Sequence, residues 1–316
     1  MTLDQLRTFQ AVAAANSFRR AAEVLHLTQP AISKQIQALE AELDQRLFER
    51  GRSSRLTLAG SALLKHVGHL SRILTTAKEE IADLKELRGG HISIGAAHSI
   101  ATHILPNLIE TYRSRYPKVN LSIEAAWSAE IMSRVAAYDL DLGLLVRVSP
   151  KLEGLPQLRF VPLARTDLVF VTSPNNPMTK KKSITWDDLA EAPWILNQEG
   201  CVYRGYIESK LRERGQAMKV EVEVIGLELQ KKLTQLGLGV SLLPKDFVLT
   251  EVQRGDLRAL KVKGTKIQNY WCLVFRNDKY LHGAMKAFLK LLGETFAPAK
   301  TALGKHVGAE LTSSWP

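Results

Sequence analysis

The sequence of 316 residues contains only two cysteines, Cys201 and Cys272, and no long run of apolar residues. Two distant thiols cannot form the dense disulfide framework of a small secreted protein. A membrane helix needs about 20 consecutive apolar residues, and no such segment or signal peptide is recognisable. We therefore expect a cytoplasmic protein with reduced thiols and no contact with a membrane.

Motifs of catalysis and of metal binding are also missing. Gly237 and Gly239 join a helix to a strand, and no phosphate-binding loop or nucleophile elbow is found. His66 and His69 lie three residues apart on one predicted helix. Without Cys or carboxylate partners, this pair is more typical of a solvated helix face than of a metal site. We expect no catalytic residue, no metal and no cofactor.

The positive charge of the chain does not by itself identify a partner. The formal net charge is +11, and 45% of the residues are hydrophobic, enough for a large core. Residues 1–90 contain 13 Lys and Arg against 10 Asp and Glu, a net of only +3. The patterning of residues, rather than the total charge, has to carry a prediction of DNA binding.

Residues 16–40 predict a helix, a tight turn and a second helix. Asn16 or Ser17 can cap the first helix and Thr28 the second, and Pro30 is tolerated in a first turn. The second helix is expected to bury one apolar stripe, made of Ile32, Ile36, Leu39 and Leu43.

The opposite face of this second helix is polar, with Gln29, Ser33, Lys34 and Gln37. Gln can form paired hydrogen bonds with adenine, Lys reaches guanine, and Ser serves either base, so the helix fits the major groove of DNA. The alternative is a small helical bundle with a solvated polar face.

An arginine-rich turn follows the two helices. Leu47–Glu49 and Ser54–Leu56 are short strand candidates on either side of it, and Arg50, Arg52 and Arg55 supply positive charge. Such a ribbon is typical of a wing, whose arginines would lie along the DNA backbone or in a narrow minor groove. The alternative for an Arg cluster alone is a solvated loop.

The order and spacing of these residues resemble the N-terminal winged helix-turn-helix of the LysR-type transcriptional regulators. The resemblance is carried by Ser17-Phe18, Ala21-Ala22, Leu27–Ser33, Leu47–Arg50 and Ala59-Gly60. Arg19 departs from the small hydroxyl residue that the family often has beside the phosphate backbone. The resemblance and the patterns together imply DNA contacts from eleven residues: Ser17, Arg19, Thr28, Gln29, Pro30, Ser33, Lys34, Gln37, Arg50, Arg52 and Arg55.

A long helix is predicted after residue 57. Thr57 can cap it, and its apolar residues recur at a spacing of 3.5, which indicates a coiled coil. An ordinary amphipathic helix packed on its own domain is the alternative. In the resembling family this helix links the subunits of a dimer, and Gly89-Gly90 acts as a hinge. The expected dimer seam consists of Leu63, Val67, Leu70, Leu74, Ala77, Ile81 and Leu84.

From residue 91, strands alternate with helices, which predicts parallel sheets covered by helices. About 200 residues fit two α/β lobes, and the region resembles the family's effector domain, which is similar to periplasmic solute-binding proteins. Two crossover strands are expected near Val161–Leu163 and Ile267–Asn269. The fold class is thus α+β and multidomain. We expect a DNA-binding domain over 1–57, a linker helix and hinge over 58–90, lobe I over 91–162 and 268–297, lobe II over 163–267, and a tail over 298–316.

Ligands of open α/β sheets bind beyond the carboxyl ends of the strands. Residues at those ends offer hydroxyls, helix N-termini and arginines, which favour a small organic anion, although each is also explained as a cap or a surface residue. Oxidation sensing by Cys201 is a weaker alternative. The expected effector-binding residues are Ser99, Thr102, Trp127, Ser128, Arg147, Cys201, Tyr203 and Arg204.

The sequence therefore predicts a dimeric or tetrameric regulator that binds double-stranded DNA and responds to a small molecule. A free solute-binding protein and an enzyme of unrecognised type are the alternatives. The first would not carry a helix-turn-helix, and the second would need a catalytic constellation.

Overall fold

A computed structural model describes residues 1–49, 55–83, 90–149 and 155–296. These residues form two compact units. The N-terminal unit contains four helices, and the larger unit contains a mixed sheet covered by helices. Arg50, Arg52 and Leu84, three of the predicted contact residues, lie outside the described residues, as do residues 298–316.

The N-terminal unit consists of α1 (Leu3–Ala15), α2 (Phe18–Leu25), α3 (Gln29–Leu43) and α4 (Leu58–Asp83). Ser17 and Thr28 cap α2 and α3 by accepting hydrogen bonds from Arg20 N and Ala31 N. Asn16, the other predicted cap of α2, instead ends α1 in a left-handed conformation with φ of 47°. The predicted helix, turn and helix are therefore present.

Aromatic and aliphatic side chains form the core of this unit. The Phe48 ring lies 5.5 Å from Phe9 and 5.4 Å from Phe18, measured between centroids. On α3, Ile32, Ile36 and Leu39 are buried as predicted. Leu43 is 37% exposed, so its predicted burial was wrong. It is the last residue of α3, and the chain turns at Asp44 (φ 48°) before another element can cover it.

The base of the predicted wing is a single antiparallel bridge between Phe48 and Leu56. Glu49 N donates to Arg55 O at 2.9 Å, which keeps the two segments paired. Thr57 accepts a hydrogen bond from Gly60 N and so caps α4, as expected. Gly60 itself is required, because a Cβ there would lie only 2.1 Å from Leu47 O.

The larger unit contains nine described strands and eight described helices. The strands are β1 (Gly90–Ala97), β2 (Val119–Ala126), β3 (Leu142–Arg147), β4 (Leu158–Thr172), β5 (Pro193–Asn197), β6 (Lys219–Val224), β7 (Val240–Pro244), β8 (Arg258–Leu260) and β9 (Ile267–Arg276). The helices are α5 (His98–His103), α6 (Leu105–Arg115), α7 (Ser128–Ala136), α8 (Trp186–Glu191), α9 (Val202–Arg212), α10 (Leu227–Gln235), α11 (Lys245–Arg254) and α12 (Gly283–Phe296).

The strands lie in the order β2-β1-β3-β9-β4-β7-β5-β6, with β8 beside β4. β1 pairs in parallel with β2 and β3 in lobe I, and β5 pairs in parallel with β6 and β7 in lobe II. β4 and β9 run antiparallel to each other between the lobes, from Leu158 opposite Arg276 to Leu168 opposite Ile267. These are the crossover strands, and they join the two predicted sheets into one.

One departure from a simple alternation of strands and helices has a local cause. Two helices, α5 and α6, follow β1 and are separated at Ile104. Pro106 has no backbone N–H with which to continue the ladder, so it stands at the start of a new helix. β4 runs from Leu158 to Thr172, so it extends well beyond the crossover strand expected near Val161–Leu163.

Successive residues of β9 point to opposite faces of the sheet. Trp271, Leu273 and Phe275 belong to the main core, whereas Tyr270, Cys272 and Val274 pack in a smaller cluster with α7. Asn269 has the parity of Trp271, so it points toward the main core.

Candidate nucleic-acid interface and ligand cleft

The polar face of α3 is open to solvent. Gln29, Lys34 and Gln37 are exposed and Ser33 is partly exposed. The residues are spaced by 4, 1 and 3, so they share one face of the helix, opposite the buried stripe. Pro30 is exposed in the first turn, where its missing N–H costs nothing.

Residues predicted to hold phosphates lie at the ends of α2 and α3. The hydroxyls of Ser17 and Thr28 serve as caps and remain part of the surface. The exposed Arg19 side chain lies 3.4 Å from the Glu23 carboxylate, one helical turn away. Arg55 is exposed at the base of the wing.

A cleft lies between the lobes at the carboxyl ends of β1, β2, β3, β5 and β7, where ligands of open α/β sheets bind. Its cavity volume is about 30 Å³. That is far below the roughly 300–1,000 Å³ of a typical ligand pocket, so the cleft is narrow in this structure. Lobe I contributes Ala97, His98, Ser99, Trp127, Ser128 and Val146, and lobe II contributes Asn197, Cys201, Val202, Tyr203, Leu227, Gln230 and Leu243.

Three helices of nine or more residues start at this cleft, beside the shorter α5. α7 begins at Ser128, α9 at Val202 and α10 at Leu227, and all three residues line the cavity. The unpaired N–H groups of a first turn and the positive end of the helix dipole favour a negative charge. The cleft is therefore electrostatically suited to an anion.

Five of the eight predicted effector residues line the cavity: Ser99, Trp127, Ser128, Cys201 and Tyr203. The Ser128 hydroxyl donates to Val146 O at 3.0 Å and accepts from Val146 N at 3.2 Å. Ser128 thus joins the start of α7 to the end of β3. Trp127 packs against His98, with the ring centroids 4.6 Å apart.

The other three, Thr102, Arg147 and Arg204, are not brought to the cavity wall. Thr102 is exposed and donates to His98 O within its own helix. The Arg147 guanidinium lies 5.5 Å from the centre of the Phe160 ring. Arg204 is turned toward carboxylates on α9 and β6, and its side chain pairs with Glu208 and Glu223. These ion pairs, which the sequence did not reveal, account for the direction of Arg204.

Three polar residues of the cleft were not predicted: His98, Asn197 and Gln230. Asn197 Nδ2 donates to Gln230 Oε1 at 2.6 Å, and Gln230 Nε2 donates to Ile195 O at 2.8 Å. Asn197 ends β5, so the strand-end rule could have found it. Gln230, in contrast, lies one turn inside α10. Burial lowers the pKa of His98 below 6.5, and Glu130 opposes this shift.

The two thiols are buried and unpaired. Burial raises the pKa of Cys201, while backbone N–H groups of α9 and Arg204 act against this effect. Burial also raises the pKa of Cys272 to about 11. Because the thiolate is the reactive form, neither cysteine has the electropositive, exposed setting of an oxidation sensor.

Within the described part of the chain, no helix is long and apolar enough to cross a membrane. Among the same residues, no group of three or more His, Cys, Asp or Glu side chains is arranged to hold a metal ion.

A helix-turn-helix followed by a two-lobed domain with a cleft between its lobes defines a class of DNA-binding regulators that respond to ligands. Residues 3–61 match the family model of the bacterial regulatory helix-turn-helix proteins of the lysR family, and residues 85–297 match the LysR substrate binding domain. The chain belongs to the LysR family of transcriptional regulators. The predicted family, fold class and regulatory function are confirmed, and the family comprises regulators rather than enzymes.

Relatives of similar length support this assignment. The chain is 31% identical over 300 residues to the probable RuBisCO transcriptional regulator of Trichormus variabilis, covering 94% of this chain and 89% of that protein. The protein of the same name from Porphyra purpurea is 31% identical over 291 residues, covering 91% and 92%.

Solved structures show the same fold. Full-length CbnR in complex with its target DNA is 22% identical, covers 93% of this chain and 100% of that chain, and has a TM-score of 0.65. A full-length OxyR variant from Pseudomonas aeruginosa is 22% identical, covers 96% and 97%, and has a TM-score of 0.67.

Proposed function

We propose that this protein is a cytoplasmic, homo-oligomeric regulator that binds an interrupted palindrome in double-stranded DNA. When a small organic anion enters the cleft, the geometry of its binding to DNA changes. The observation that carries the proposal is the exposed polar face of α3 opposite the buried Ile32, Ile36 and Leu39. Such a helix is anchored on one side and free to enter a major groove on the other.

In this proposal the contacts divide into two kinds. Gln29, Ser33, Lys34 and Gln37 read base edges, because only side chains that reach the groove floor can discriminate sequence. Ser17, Arg19 and Thr28 contact phosphates, and Pro30 fixes the start of α3 against the backbone. Arg50, Arg52 and Arg55 of the wing follow the backbone or the minor groove.

The exposed apolar side chains of α4 indicate that a second helix packs against it. Val67 is buried against the N-terminal core, but further along α4 the side chains of Leu70, Ile73 and Ile81 are 42%, 47% and 63% exposed. Large aliphatic side chains at coiled-coil spacing are covered when a second helix packs on them. We assign dimer formation to the later part of the predicted seam, Leu70, Leu74, Ala77 and Ile81. The predicted seam residues Leu63 and Val67 instead pack on the N-terminal core of their own chain. CbnR, which shares the fold, has been solved with its target DNA.

The proposed effector is an anion because helix starts, hydroxyls and amides surround the cavity. No Asp, Glu, Lys or Arg is among the residues that line it in the described chain. Burial lowers the pKa of His98, which keeps this side chain neutral at pH 7. The anion would therefore be held by hydrogen-bond donors and helix dipoles rather than by an ion pair.

The test of DNA binding is selection of duplex DNA from a randomised pool with the full-length protein. We expect an enriched interrupted palindrome with half-sites a whole number of helical turns apart, about 10 bp each. A variant with Gln29→Ala, Ser33→Ala and Lys34→Ala should lose the selection. The matched control carries Lys180→Ala, Lys182→Ala and Ser183→Ala at exposed positions of lobe II. Absence of any enriched sequence with the unaltered protein would refute the proposal.

A further inference from the structure

Two backbone N–H groups at the base of the wing are bound by a side chain of α3 rather than by a strand. Leu47 N and Phe48 N both donate to the same atom, Glu40 Oε1, at 2.7 and 3.2 Å. The ribbon pairs the groups on either side of them, since Leu47 O accepts from Thr57 N and Glu49 N donates to the opposite segment. Glu40 therefore supplies the acceptor for two consecutive amides of the wing base.

Both amides belong to residues of the N-terminal core, so they need this acceptor. Leu47 and Phe48 are 1% and 6% exposed, and the Phe48 ring packs against the rings of Phe9 and Phe18. A buried N–H group without an acceptor costs free energy, because its hydrogen bond to water is not replaced. Removal of the Glu40 carboxylate would leave two such groups unpaired and would favour release of the wing base from α3.

The position of Glu40 is unfavourable for α3 itself. Glu40 lies in the last turn of this helix, which ends at Leu43 and carries no basic residue there. The carboxyl end of a helix has a partial negative charge, so a carboxylate is disfavoured at this position. The hydrogen bonds to the wing base, rather than a contribution to the helix, are therefore the stabilising interactions of this side chain.

The segment bound by Glu40 is also bound to the start of α4. The Thr57 hydroxyl donates to Arg46 O at 2.6 Å, and the same oxygen accepts from Gly60 N to cap α4. Residues 46–48 are thus attached to α3 through Glu40 and to α4 through Thr57. The orientation of the wing base relative to α3 is fixed from both sides.

We propose that Glu40 is a positioning residue for DNA binding, which holds the wing base at a fixed angle to α3. The polar face of α3 and the arginines of the wing can then contact one duplex at the same time. Two linked contacts strengthen each other only when their geometry allows both to form together. Glu40 does not touch DNA and acts through the backbone of Leu47 and Phe48. This role rests on the wing being part of the DNA interface, as in the proposed function.

The first experiment needs no DNA and measures amide hydrogen exchange of the full-length protein by mass spectrometry. Glu40→Ala should accelerate exchange at Leu47 and Phe48 by about tenfold or more, whereas peptides of α1 should keep their protection. Glu40→Gln should restore the protection, because an amide oxygen can also accept two hydrogen bonds. Glu40→Asp is one methylene shorter and should behave like Glu40→Ala. Unchanged exchange at Leu47 and Phe48 in Glu40→Ala, or an equal increase throughout the N-terminal unit, would overturn the proposal.

The second experiment measures the slope of log affinity against log salt on the selected DNA. Glu40→Ala should lower the slope by about 0.9 for each phosphate contact of the wing that is lost, with an affinity about tenfold lower at roughly 0.1 M salt. Arg55→Ala should lower the slope of the wild-type protein but should have no further effect in the Glu40→Ala background. If Arg55→Ala lowers the slope equally in both backgrounds, the wing stays in place without Glu40 and the proposal is wrong.

Glu42→Ala is the matched control, since it removes the same charge from the same helix. Glu42 is exposed, and its carboxylate pairs with the N-terminal amine of Met1 rather than with the wing. This variant should keep the wild-type salt slope and the wild-type exchange at Leu47 and Phe48. If Glu42→Ala changes the slope as much as Glu40→Ala does, the effect is one of charge alone and the positioning role is excluded.

The two experiments separate this role of Glu40 from the proposed function. If the wild-type protein selects no DNA sequence, or Arg55→Ala leaves its salt slope unchanged, the proposed DNA interface fails. The exchange experiment then still decides whether Glu40 holds the wing base. If Arg55→Ala lowers the slope and Glu40→Ala does not, only the role of Glu40 fails.

Discussion

Gly200 of lobe II faces the Trp127 indole of lobe I across the mouth of the cleft. Its φ is 93°, a conformation that favours glycine, and a Cβ at this position would lie 3.2 Å from Trp127 Cδ1. Both the backbone conformation and the close approach therefore require glycine. The contact also means that the two lobes touch through a rigid ring and a bare backbone, with no flexible side chain between them.

Gly200→Ala should destabilise the closed effector domain by about 1–3 kcal/mol, because the left-handed backbone is strained for any residue with a Cβ. Thermal unfolding measures the effect. Gly205→Ala is the matched control: Gly205 lies inside α9 with open space around it, and alanine there should stabilise by up to about 1 kcal/mol. Equal midpoints for the two variants would contradict the role assigned to Gly200.

Lys34→Ala should weaken binding to the selected DNA by about 1–3 kcal/mol and relax the preference at one base pair. The reason is that Lys34 is exposed on the face of α3 opposite the buried stripe. Fluorescence anisotropy on a set of single-base variants of the site measures both effects, with Lys219→Ala as the control. A uniform loss on every sequence would identify Lys34 as a phosphate contact instead.

Arg55→Ala should lower the slope of log affinity against log salt by about 0.9, the value for one phosphate contact. Arg55 is exposed at the paired base of the wing, where Glu49 N holds its carbonyl oxygen. Titrations at four salt concentrations give the slope, and Lys219→Ala should leave it unchanged. A slope equal to that of the wild-type protein would remove Arg55 from the DNA interface.

Leu70→Glu combined with Ile81→Glu should dissociate the dimer and abolish binding to the palindrome. Leu70 and Ile81 are both exposed on α4. Glutamates at these positions would face each other between the two helices of a dimer and repel. Sedimentation velocity gives the mass. Leu58→Glu is the control, since Leu58 is 93% exposed at the start of α4 and off the seam. If the double variant remains a dimer, the effector domains carry the association.

Low pH should reduce the stability of the effector domain, because Asp141 becomes protonated. Burial raises the pKa of this carboxyl, but the ion pair with Lys279 and hydrogen bonds from Ser93 outweigh it, so the net pKa lies below 3.8. The Lys279 and Asp141 side chains are 6% and 17% exposed, with a nitrogen–oxygen distance of 2.7 Å. A lowered folded-state pKa gives stability that is fully present above 3.8 and is lost as the pH falls through the lowered value.

Asp141→Asn should therefore cost about 3–5 kcal/mol at pH 7, because it leaves the buried Lys279 charge without its partner. The difference in the free energy of unfolding between the variant and the wild-type protein should become smaller as the pH falls below 3.8. Urea unfolding across a pH series measures it, and Asp141→Asn with Lys279→Met should recover most of the loss. A deficit that does not change with pH would exclude the ion pair as its source.

Local patterns predicted the DNA-binding unit well and the cleft only in part. The caps Ser17 and Thr28 and the buried stripe of α3 depend on residues three or four positions apart, which the sequence displays directly. The direction of Arg204 depends on Glu223, which is 19 residues away and on another element.

Contacts between segments that are distant in sequence also explain which cleft residues were not predicted. The strand-end rule located Ser99, Ser128 and Tyr203 at the cavity. It could not locate Gln230, which lies one turn inside α10 rather than at the end of a strand.

The pairing of β4 with β9 limits how the lobes can move. Ten residue pairs hold the two strands together, with one irregularity between Pro162 and Ala164. A slip by one residue would turn every side chain to the wrong face, so sliding is excluded, whereas a two-stranded ladder twists easily. We therefore expect any relative motion of the lobes to be a rotation about β4 and β9. In such a rotation, a small change in the width of the cleft corresponds to a larger displacement at the far ends of the lobes.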